Sequence, residues 1–260
     1  MSLVAKQVGA LIQGASVLEA ISATFERNRI YGIIGPNGVG KSTLLHILSG
    51  SDAPSSGTVT LDGIPLSDMP GKTLARRLAV LQQGGLPPVG FTVREVVAMG
   101  RFPHQNWLGG EQEDPESIID GALHAMGLVD LQSRKLHQLS GGERQRVALA
   151  KLMTQQPEIL LLDEPTTYLD IGYQIELLDT VKAWQKRKGL LVIAVLHDLN
   201  LASLYCDKLI ALHKGRITAE GTPEEVLQPV VIERLYGAKT TLIKHPATGV
   251  PQLILQPGSE

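Results

Sequence analysis

The sequence predicts an α/β fold that combines a parallel sheet, an antiparallel β layer near the N-terminus and a helical insertion. A glycine-rich loop, Gly35–Thr43, stands between a short apolar run and apolar residues at helical spacing. Two more apolar runs, 158–162 and 190–196, flank a helical pattern over 173–187, which is the order expected of parallel strands joined by a helix. Between the loop and these runs, residues 84–155 show three helical patterns.

The N-terminal segment predicts the antiparallel layer. Residues 17–25 alternate apolar and polar side chains, as a half-buried strand does, and we interpret 3–12 as their partner strand. Strands over Thr58–Leu61 and Ile64–Leu66 flank Asp62-Gly63, a two-residue hairpin signal.

The rest of the chain predicts further elements around these. The insertion holds helices over 93–100, 115–126 and 142–155, with a loop from Arg101 to Glu113 that contains Trp107 and Gly109. A hairpin turns at Lys214-Gly215, and a helix opens at Thr222-Pro223. We expect one domain in three parts: a core with its β layer over 1–83 and 156–239, a helical subdomain over 84–155, and a C-terminal hairpin tail over 240–260 with strands at 240–244 and 252–255.

Composition excludes several classes of protein. The 260 residues are 43% hydrophobic and 19% charged, with a formal net charge of -2, which argues against a nucleic-acid partner held by a general basic field. Cys206 is the single cysteine, so no internal disulfide forms. No apolar run approaches the roughly 20 residues of a membrane helix, and the first residues lack the pattern of a secretory signal. We expect a soluble protein that meets a membrane only through a partner.

The glycine-rich loop predicts a nucleoside-triphosphate site. Its glycines let several backbone N–H groups face one anion at a helix N-terminus. Lys41 would reach the β- and γ-phosphates, and the Ser42 hydroxyl would bind Mg²⁺. The alternatives are a structural glycine turn, or a dinucleotide loop, which the absence of G-x-G-x-x-G disfavours. The loop residues are Gly35, Pro36, Asn37, Gly38, Val39, Gly40, Lys41, Ser42 and Thr43.

Two more polar features follow predicted buried strands, as the loop does. Asp163-Glu164 comes after Leu162, and His197 after Leu196. Ligands of open α/β sheets bind beyond the carboxyl ends of the strands, so we expect all three features to meet. Asp163 would be the carboxylate on the metal side, and Glu164 would accept a proton from the attacking water or orient it. His197 would contact the γ-phosphate or hold Glu164. Taken singly, the acidic pair fits a solvated turn and His197 fits a core or surface histidine.

A second anion site is predicted at Ser140-Gly141-Gly142-Glu143. Ser140 and Glu143 form a capping box, so a helix begins here. Two glycines in its first turn lower helix propensity by about 1 kcal/mol each, and they leave bare N–H groups that suit an anion. The alternative is a cap with a flexible turn.

The run Leu139–Val147, LSGGERQRV, resembles the signature sequence of ATP-binding-cassette (ABC) ATPases. The loop resembles that family's Walker A motif, Gln83 its Q-loop glutamine and Ile159–Pro165 its Walker B motif. Tyr168-Leu169-Asp170 resembles the D-loop, and His197 the switch histidine. The family's order is kept over nearly the whole chain.

The resemblance implies a P-loop NTPase core of the RecA-like type that binds ATP and Mg²⁺. It implies that Gln83 contacts Mg²⁺ or the attacking water and relays the nucleotide state to the helical subdomain. Ser140 and Gly142 would bind the γ-phosphate of ATP held by a second copy, with Gly141 and Asp170 also at the nucleotide. One departure concerns the base: the family stacks an aromatic on adenine near Ile12, and residues 3–16 contain none. Base recognition would then be weaker or purely aliphatic.

Three further motifs resemble those of the ATPases of iron-chelate importers, a branch of the family that serves ferric siderophores, haem and cobalamin. They are Gly100–His104, Pro165–Ile171 with Gln174 following, and His245–Gly249. The resemblance implies an ATP-hydrolysing subunit that forms a head-to-tail, ATP-dependent dimer. It would lie at the cytoplasmic face of the plasma membrane on a permease dimer, with an extracytoplasmic binding protein delivering the cargo.

Two other functions remain as alternatives. A soluble ABC protein acting as a mechanical switch on DNA or ribosomes is disfavoured, because the chain has one phosphate loop and no heptad run between Thr43 and Leu139. An export ATPase shares the catalytic motifs, so only the motifs that resemble iron-chelate importers argue against it.

Overall fold

The computed structural model describes residues 1–106, 110–111, 113–167 and 169–256. Trp107 and Gly109 of the predicted loop and Tyr168 of the predicted D-loop lie outside these residues. The described strands are β1 Ser2–Ile12, β2 Ala15–Glu26, β3 Arg29–Ile34, β4 Ser56–Leu61, β5 Ile64–Pro65, β6 Leu78–Leu81, β7 Ile159–Asp163, β8 Leu191–Val195, β9 Lys208–His213, β10 Arg216–Gly221, β11 Thr240–Lys244 and β12 Pro251–Leu255. The described helices are α1 Lys41–Ser49, α2 Gly71–Arg77, α3 Val93–Ala98, α4 Pro115–Ala125, α5 Gly141–Thr154, α6 Ile171–Lys188, α7 Leu199–Tyr205, α8 Pro223–Val226 and α9 Pro229–Tyr236.

The first of two compact units comprises Met1–Met69 and Lys182–Glu260. Its antiparallel sheet has the order β2-β1-β4-β5, which confirms the predicted β layer. Its other main strands follow the order β10-β9-β3-β8, in which β3 runs parallel to both β8 and β9. Strand β3 is buried from Ile30 to Ile34, because a central parallel strand is covered on both faces. This strand leads directly into the glycine-rich loop.

The second unit comprises Pro70–Val181. Its strands β6 and β7 are parallel and in register from Leu78 opposite Ile159 to Leu81 opposite Leu162. Helices α3, α4 and α5 contact one another, and α5 also contacts β6. Because the strands are parallel, Gln83, which comes after β6, and Glu164, which comes after β7, lie at the same end of the pair.

The two predicted hairpin turns occur where their residues favour them. Asp62 and Gly63 have φ of 52° and 83°, and Lys214 and Gly215 have φ of 47° and 74°. Positive φ at both central positions is what a two-residue hairpin requires. Turn chemistry alone was sufficient to predict them.

Three helical features differ from the prediction. Helix α2 was not predicted, because it buries no residue and so lacks an apolar stripe. Helix α7 was also not predicted, because its seven residues are too few to show a clear helical spacing of apolar residues. The helix that opens at Thr222 ends at Val226, and a separate helix, α9, begins at Pro229, which has no N–H to continue the first one. No helix among the described residues combines the length and apolarity needed to cross a membrane.

Candidate functional site

The glycine-rich loop connects β3 to α1 as the sequence predicts. Gly38 and Gly40 adopt left-handed backbone angles, with φ of 76° and 98°, and Gly40 is the N-cap of α1. A Cβ at Gly40 would lie 2.8 Å from Leu18, so only glycine fits between β2 and the helix. A Cβ at Gly38 would meet open space. The loop is thus closely packed at its base and open at its tip.

Lys41, the first residue of α1, lies within this loop. Its side chain is 5% exposed, and Nζ donates hydrogen bonds of 2.9 Å to the carbonyl oxygens of Gly35 and Pro36. An ammonium group held by two carbonyls at a helix N-terminus is positioned beside the place where an anion binds. The adjacent Ser42 is half-buried on the first turn of the helix.

His197 lies at the same edge of the parallel strands as the loop. The N–H of Leu196 donates a 3.2 Å hydrogen bond to the carbonyl of Ile33, one residue before β3 ends. Because β3 and β8 are parallel, their carboxyl ends are neighbours, and exposed His197 follows β8 there. The next residue, Asp198, caps α7. In this unit the structure brings the glycine-rich loop and His197 together.

In the second unit, β7 ends at Asp163, and Glu164 follows it. Asp163 is the last residue of the strand and is 2% exposed. Glu164 is half-buried and has φ of 48°, a backbone conformation uncommon for a residue with a Cβ. Such local strain occurs at sites where one side chain must be aimed in a given direction.

Gln83 contacts the carboxylate of Glu164. Its Nε2 donates a 2.7 Å hydrogen bond to Oε2 of Glu164, and Oγ1 of Thr167 donates a second one to the same oxygen at 3.2 Å. The parallel register of β6 and β7 makes this possible, because both segments leave the strands at the same end. Thr167 was not among the predicted site residues. Its position three residues after Glu164 was the only sequence signal for it.

The predicted capping box is present at the start of α5. Ser140 N–H donates to Glu143 Oε2 at 2.7 Å, and Ser140 Oγ accepts from Glu143 N–H at 3.2 Å. The hydrogen bonds that the Glu143 carboxyl accepts from the backbone N–H and the side chain of Ser140 hold its pKa below the ordinary value. Ser140 and Gly141 are exposed, and a Cβ at Gly141 would meet no atom within 4 Å. The helix therefore presents its first N–H groups to solvent.

Asp170 lies directly before α6, and the predicted base site lies at the end of β1. Oδ1 of Asp170 accepts a 3.1 Å hydrogen bond from Tyr173 N–H at the start of α6, and Gln174 donates from Nε2 to the carbonyl of Leu169 at 2.9 Å. At the end of β1, Leu11 and Ile12 are 59% and 49% exposed. The predicted base site is therefore an exposed aliphatic surface.

The residues predicted to bind Mg²⁺ are oxygen donors. The first unit offers the hydroxyl of Ser42, and the second unit offers the amide oxygen of Gln83 and the carboxylate of Asp163. Mg²⁺ keeps few protein ligands when it binds phosphates. Among the described residues, no group of three or more His, Cys, Asp and Glu side chains forms a metal site of its own.

A buried lysine in a glycine-rich loop between a parallel strand and a helix defines a nucleotide-binding protein of the P-loop NTPase class. The family model described as ABC transporter matches residues 18–167.

Relatives and solved structures extend this match. The chain is 41% identical to the ferric enterobactin transport ATP-binding protein FepC of Escherichia coli K12, over 92% of this chain and 88% of that protein. It is 43% identical to the hemin import ATP-binding protein HmuV of Pseudomonas putida KT2440, over 92% and 93%. The dimeric structure of MJ0796, a bacterial ABC transporter cassette, superposes with a TM-score of 0.74 at 27% identity, over 85% and 98%. The chain belongs to the ABC transporter family and is one of its ATP-hydrolysing, ATP-binding subunits.

Proposed function

We propose that this ATPase drives import of an iron chelate, of the ferric siderophore or haem type, or of cobalamin, through a membrane permease. The observation that carries the ATPase part is the hydrogen bond between Gln83 and Glu164, which fixes a carboxylate beside buried Asp163. The cargo class is supported by the relatives, which are named as ATP-binding proteins for import or transport of ferric enterobactin and hemin.

We assign nucleotide binding to the loop residues and to Lys41. The loop N–H groups and the N-terminus of α1 would surround the phosphates, and Lys41 would exchange the carbonyls of Gly35 and Pro36 for phosphate oxygens. Ser42 and Asp163, with Gln83, would hold a Mg²⁺ ion, which neutralises phosphate charge when bound. The exchange is favourable because an ammonium group gains a charged acceptor in place of two neutral ones.

We assign the hydrolytic step to Glu164. Its carboxylate would accept a proton from the attacking water, a role that contributes about 10²–10⁴ in rate. Gln83 and Thr167 would fix its direction through the two hydrogen bonds on Oε2. His197 would contact the γ-phosphate from the carboxyl end of β8.

The second anion site supports a dimer. The helix N-terminus at Ser140, Gly141 and Gly142 is open to solvent, so it could receive the γ-phosphate of ATP held by a second copy. The fold likeness to a dimeric cassette supports the same arrangement. Asp170, at the start of α6, would lie near this shared nucleotide.

The proposed place of action is the cytoplasmic face of the plasma membrane, on a permease dimer served by an extracytoplasmic binding protein. The test is purification of the tagged chain from membranes of its own host, followed by reconstitution of the attached permease into vesicles. We expect ATP-dependent uptake of one chelate of this class, and no uptake when the chain carries Lys41→Ala. Recovery without any permease, or ATP-driven movement of cargo in the opposite direction, would contradict import.

A further inference from the structure

Helix α7 bonds the backbone of the C-terminal hairpin of β11 and β12 through two of its own side chains, and Gln252 of the hairpin adds a longer 3.4 Å hydrogen bond to the carbonyl of Asn200. Oδ1 of Asn200 accepts a 2.7 Å hydrogen bond from Leu253 N–H, and its Nδ2 donates to the Leu253 carbonyl at 3.2 Å. The amide thus pairs with the backbone of β12 in both directions, as a neighbouring strand would. One turn further along α7, the buried Ser203 donates to the carbonyl of Pro251 at 2.5 Å. These two residues lie on the same face of the helix.

Asn200 is also joined to the segment that carries His197. Oδ1 of Asp198 accepts hydrogen bonds from the N–H groups of Asn200 at 2.8 Å and Leu201 at 2.9 Å. On the other side, Leu196 N–H bonds the carbonyl of Ile33 near the end of β3. His197 therefore lies between one residue tied to the parallel strands and another tied to α7.

The turn of the hairpin is built by the tail motif His245–Gly249. His245 N–H donates to the carbonyl of Val250, and Gly249 N–H donates to the carbonyl of His245, both at 2.8 Å. Nδ1 of His245 accepts from Thr248 N–H at 3.3 Å. The motif thus sets the turn that aligns β12 with α7, a use that the sequence did not indicate.

Helix α7 needs such a support. It has seven residues and buries only Ala202 and Ser203, so neither its length nor its packing fixes it strongly. Its hydrogen bonds to β12 supply fixed points outside the helix. A displacement of about 1 Å at a catalytic group can lower a rate by about 10²-fold, so a loosely held α7 would matter at His197.

We propose that Asn200 is a positioning residue for His197, and that the C-terminal hairpin serves to hold this histidine in place. The inference rests on the proposed function, in which His197 contacts the γ-phosphate. Asn200 itself is assigned no contact with nucleotide or water. It acts through β12 on one side and Asp198 on the other.

The test begins with Asn200→Ala, which removes both hydrogen bonds to Leu253. We expect kcat for ATP hydrolysis to fall about tenfold, with KM for ATP changed by no more than about twofold, because binding depends on the loop and Lys41. Asn200→Asp keeps the acceptor for Leu253 N–H and should recover part of kcat. The control is Gln256→Ala, which removes a 2.7 Å hydrogen bond to Thr241 inside the hairpin and should leave kcat unchanged.

A double-mutant cycle separates positioning from a general loss of stability. In a His197→Ala background, Asn200→Ala should lower kcat no further, since the residue through which it acts is gone. Equal losses in both backgrounds, or an unchanged kcat in Asn200→Ala alone, would overturn the proposal.

Two further results are decisive. If His197→Ala itself keeps the parental kcat, the assignment of His197 fails and the positioning role fails with it. If Asn200→Ala does not fold, the same cycle can be measured with Ser203→Ala, which removes only the hydrogen bond from Ser203 to the carbonyl of Pro251. A smaller fall in kcat that disappears in the His197→Ala background supports the proposal, and an unchanged kcat contradicts it.

Discussion

Nε2 of Gln83 donates a 2.7 Å hydrogen bond to Oε2 of Glu164, the carboxylate that follows the buried strand β7. Gln83 follows β6, so the parallel pair of strands is what brings the two side chains together. This hydrogen bond fixes the direction of a carboxylate whose backbone is already constrained at φ of 48°, which supports the role proposed for the glutamine.

Loss of the Gln83 amide should slow hydrolysis without weakening nucleotide binding. In Gln83→Ala the carboxylate of Glu164 loses its 2.7 Å hydrogen bond and keeps the longer one from Thr167, so we expect kcat to fall about tenfold. The affinity for ATP should change little, because Lys41 remains for the phosphates and Ser42 and Asp163 remain for Mg²⁺. Steady-state kinetics and a binding titration measure the two quantities. Gln82→Ala, at the exposed neighbouring position, is the control. Equal losses in both variants would show that Gln83 has no special role.

The variant Gln83→Glu should move the pH dependence. A second carboxylate beside Glu164 raises the pKa of one member of the pair, because like charges disfavour ionisation. The pair shares the last proton, so Glu164 is fully deprotonated only at higher pH and the acidic limb of the kcat profile should shift upward. A profile that keeps the parental acidic limb would mean that Glu164 is not the titrating base.

Lys41→Ala should abolish most nucleotide binding. A hydrogen bond to a charged group contributes about 1.5–3 kcal/mol, and its loss weakens binding by roughly 10- to 100-fold. A fluorescent ATP analogue in an equilibrium titration provides the measurement. Lys6→Ala removes an exposed lysine from β1 and should bind like the parent. If Lys41→Ala bound the analogue with the parental affinity, the loop would not be the phosphate-binding site.

Discrimination between ATP and GTP should be modest, within about tenfold, because an aliphatic surface at Leu11 and Ile12 offers no ring for stacking. Stacking on an aromatic is worth about 1–3 kcal/mol per base, so Ile12→Tyr should strengthen ATP binding by about 5- to 150-fold. Ile64→Tyr, at a position of equal 49% exposure on β5, is the matched control. A strong adenine preference in the parent would mean that another residue stacks on the base.

A buried ion pair should stabilise the second unit. Arg101 and Glu111 are joined at 2.7 Å with side chains 2% and 4% exposed, and Arg101 also donates to the carbonyl of Thr154 at 2.8 Å. Removing one partner of a buried pair costs about 3–5 kcal/mol, so Arg101→Met should lower the free energy of unfolding by that amount.

The comparison for this prediction is the exposed pair of Arg216 and Glu19, whose side chains are 70% and 41% exposed. Arg216→Met should cost less than about 1 kcal/mol. Urea titrations of both variants provide the measurement. Similar midpoints for the two variants would contradict the importance of burial at Arg101.

The burial of Arg101 is a feature that could not be predicted from the sequence. Local signals were sufficient for the phosphate loop, the capping box at Ser140 and both hairpin turns, because each depends on residues close together in the chain. The motif Gly100–His104 was used only as a family resemblance, and its loop gave no sign that Arg101 is buried. Burial of a charge depends on a partner brought in by the fold, here Glu111. The left-handed backbone of Glu164 and the ties of Asn200 to β12 depend on the fold in the same way.

We propose above all that Glu164 is the base at an ATP site completed by Ser140 of a second copy. The most direct measurement is the molar mass of Glu164→Gln in solution, by size-exclusion chromatography with light scattering at high protein concentration, with and without ATP. This variant keeps the hydrogen bonding of the side chain but removes the base, so ATP should bind without being consumed. We predict a dimer with ATP, a monomer without it, and a monomer again when Ser140→Arg is added. Normal ATP hydrolysis by Glu164→Gln, or an ATP-bound dimer indifferent to Ser140→Arg, would contradict the claim.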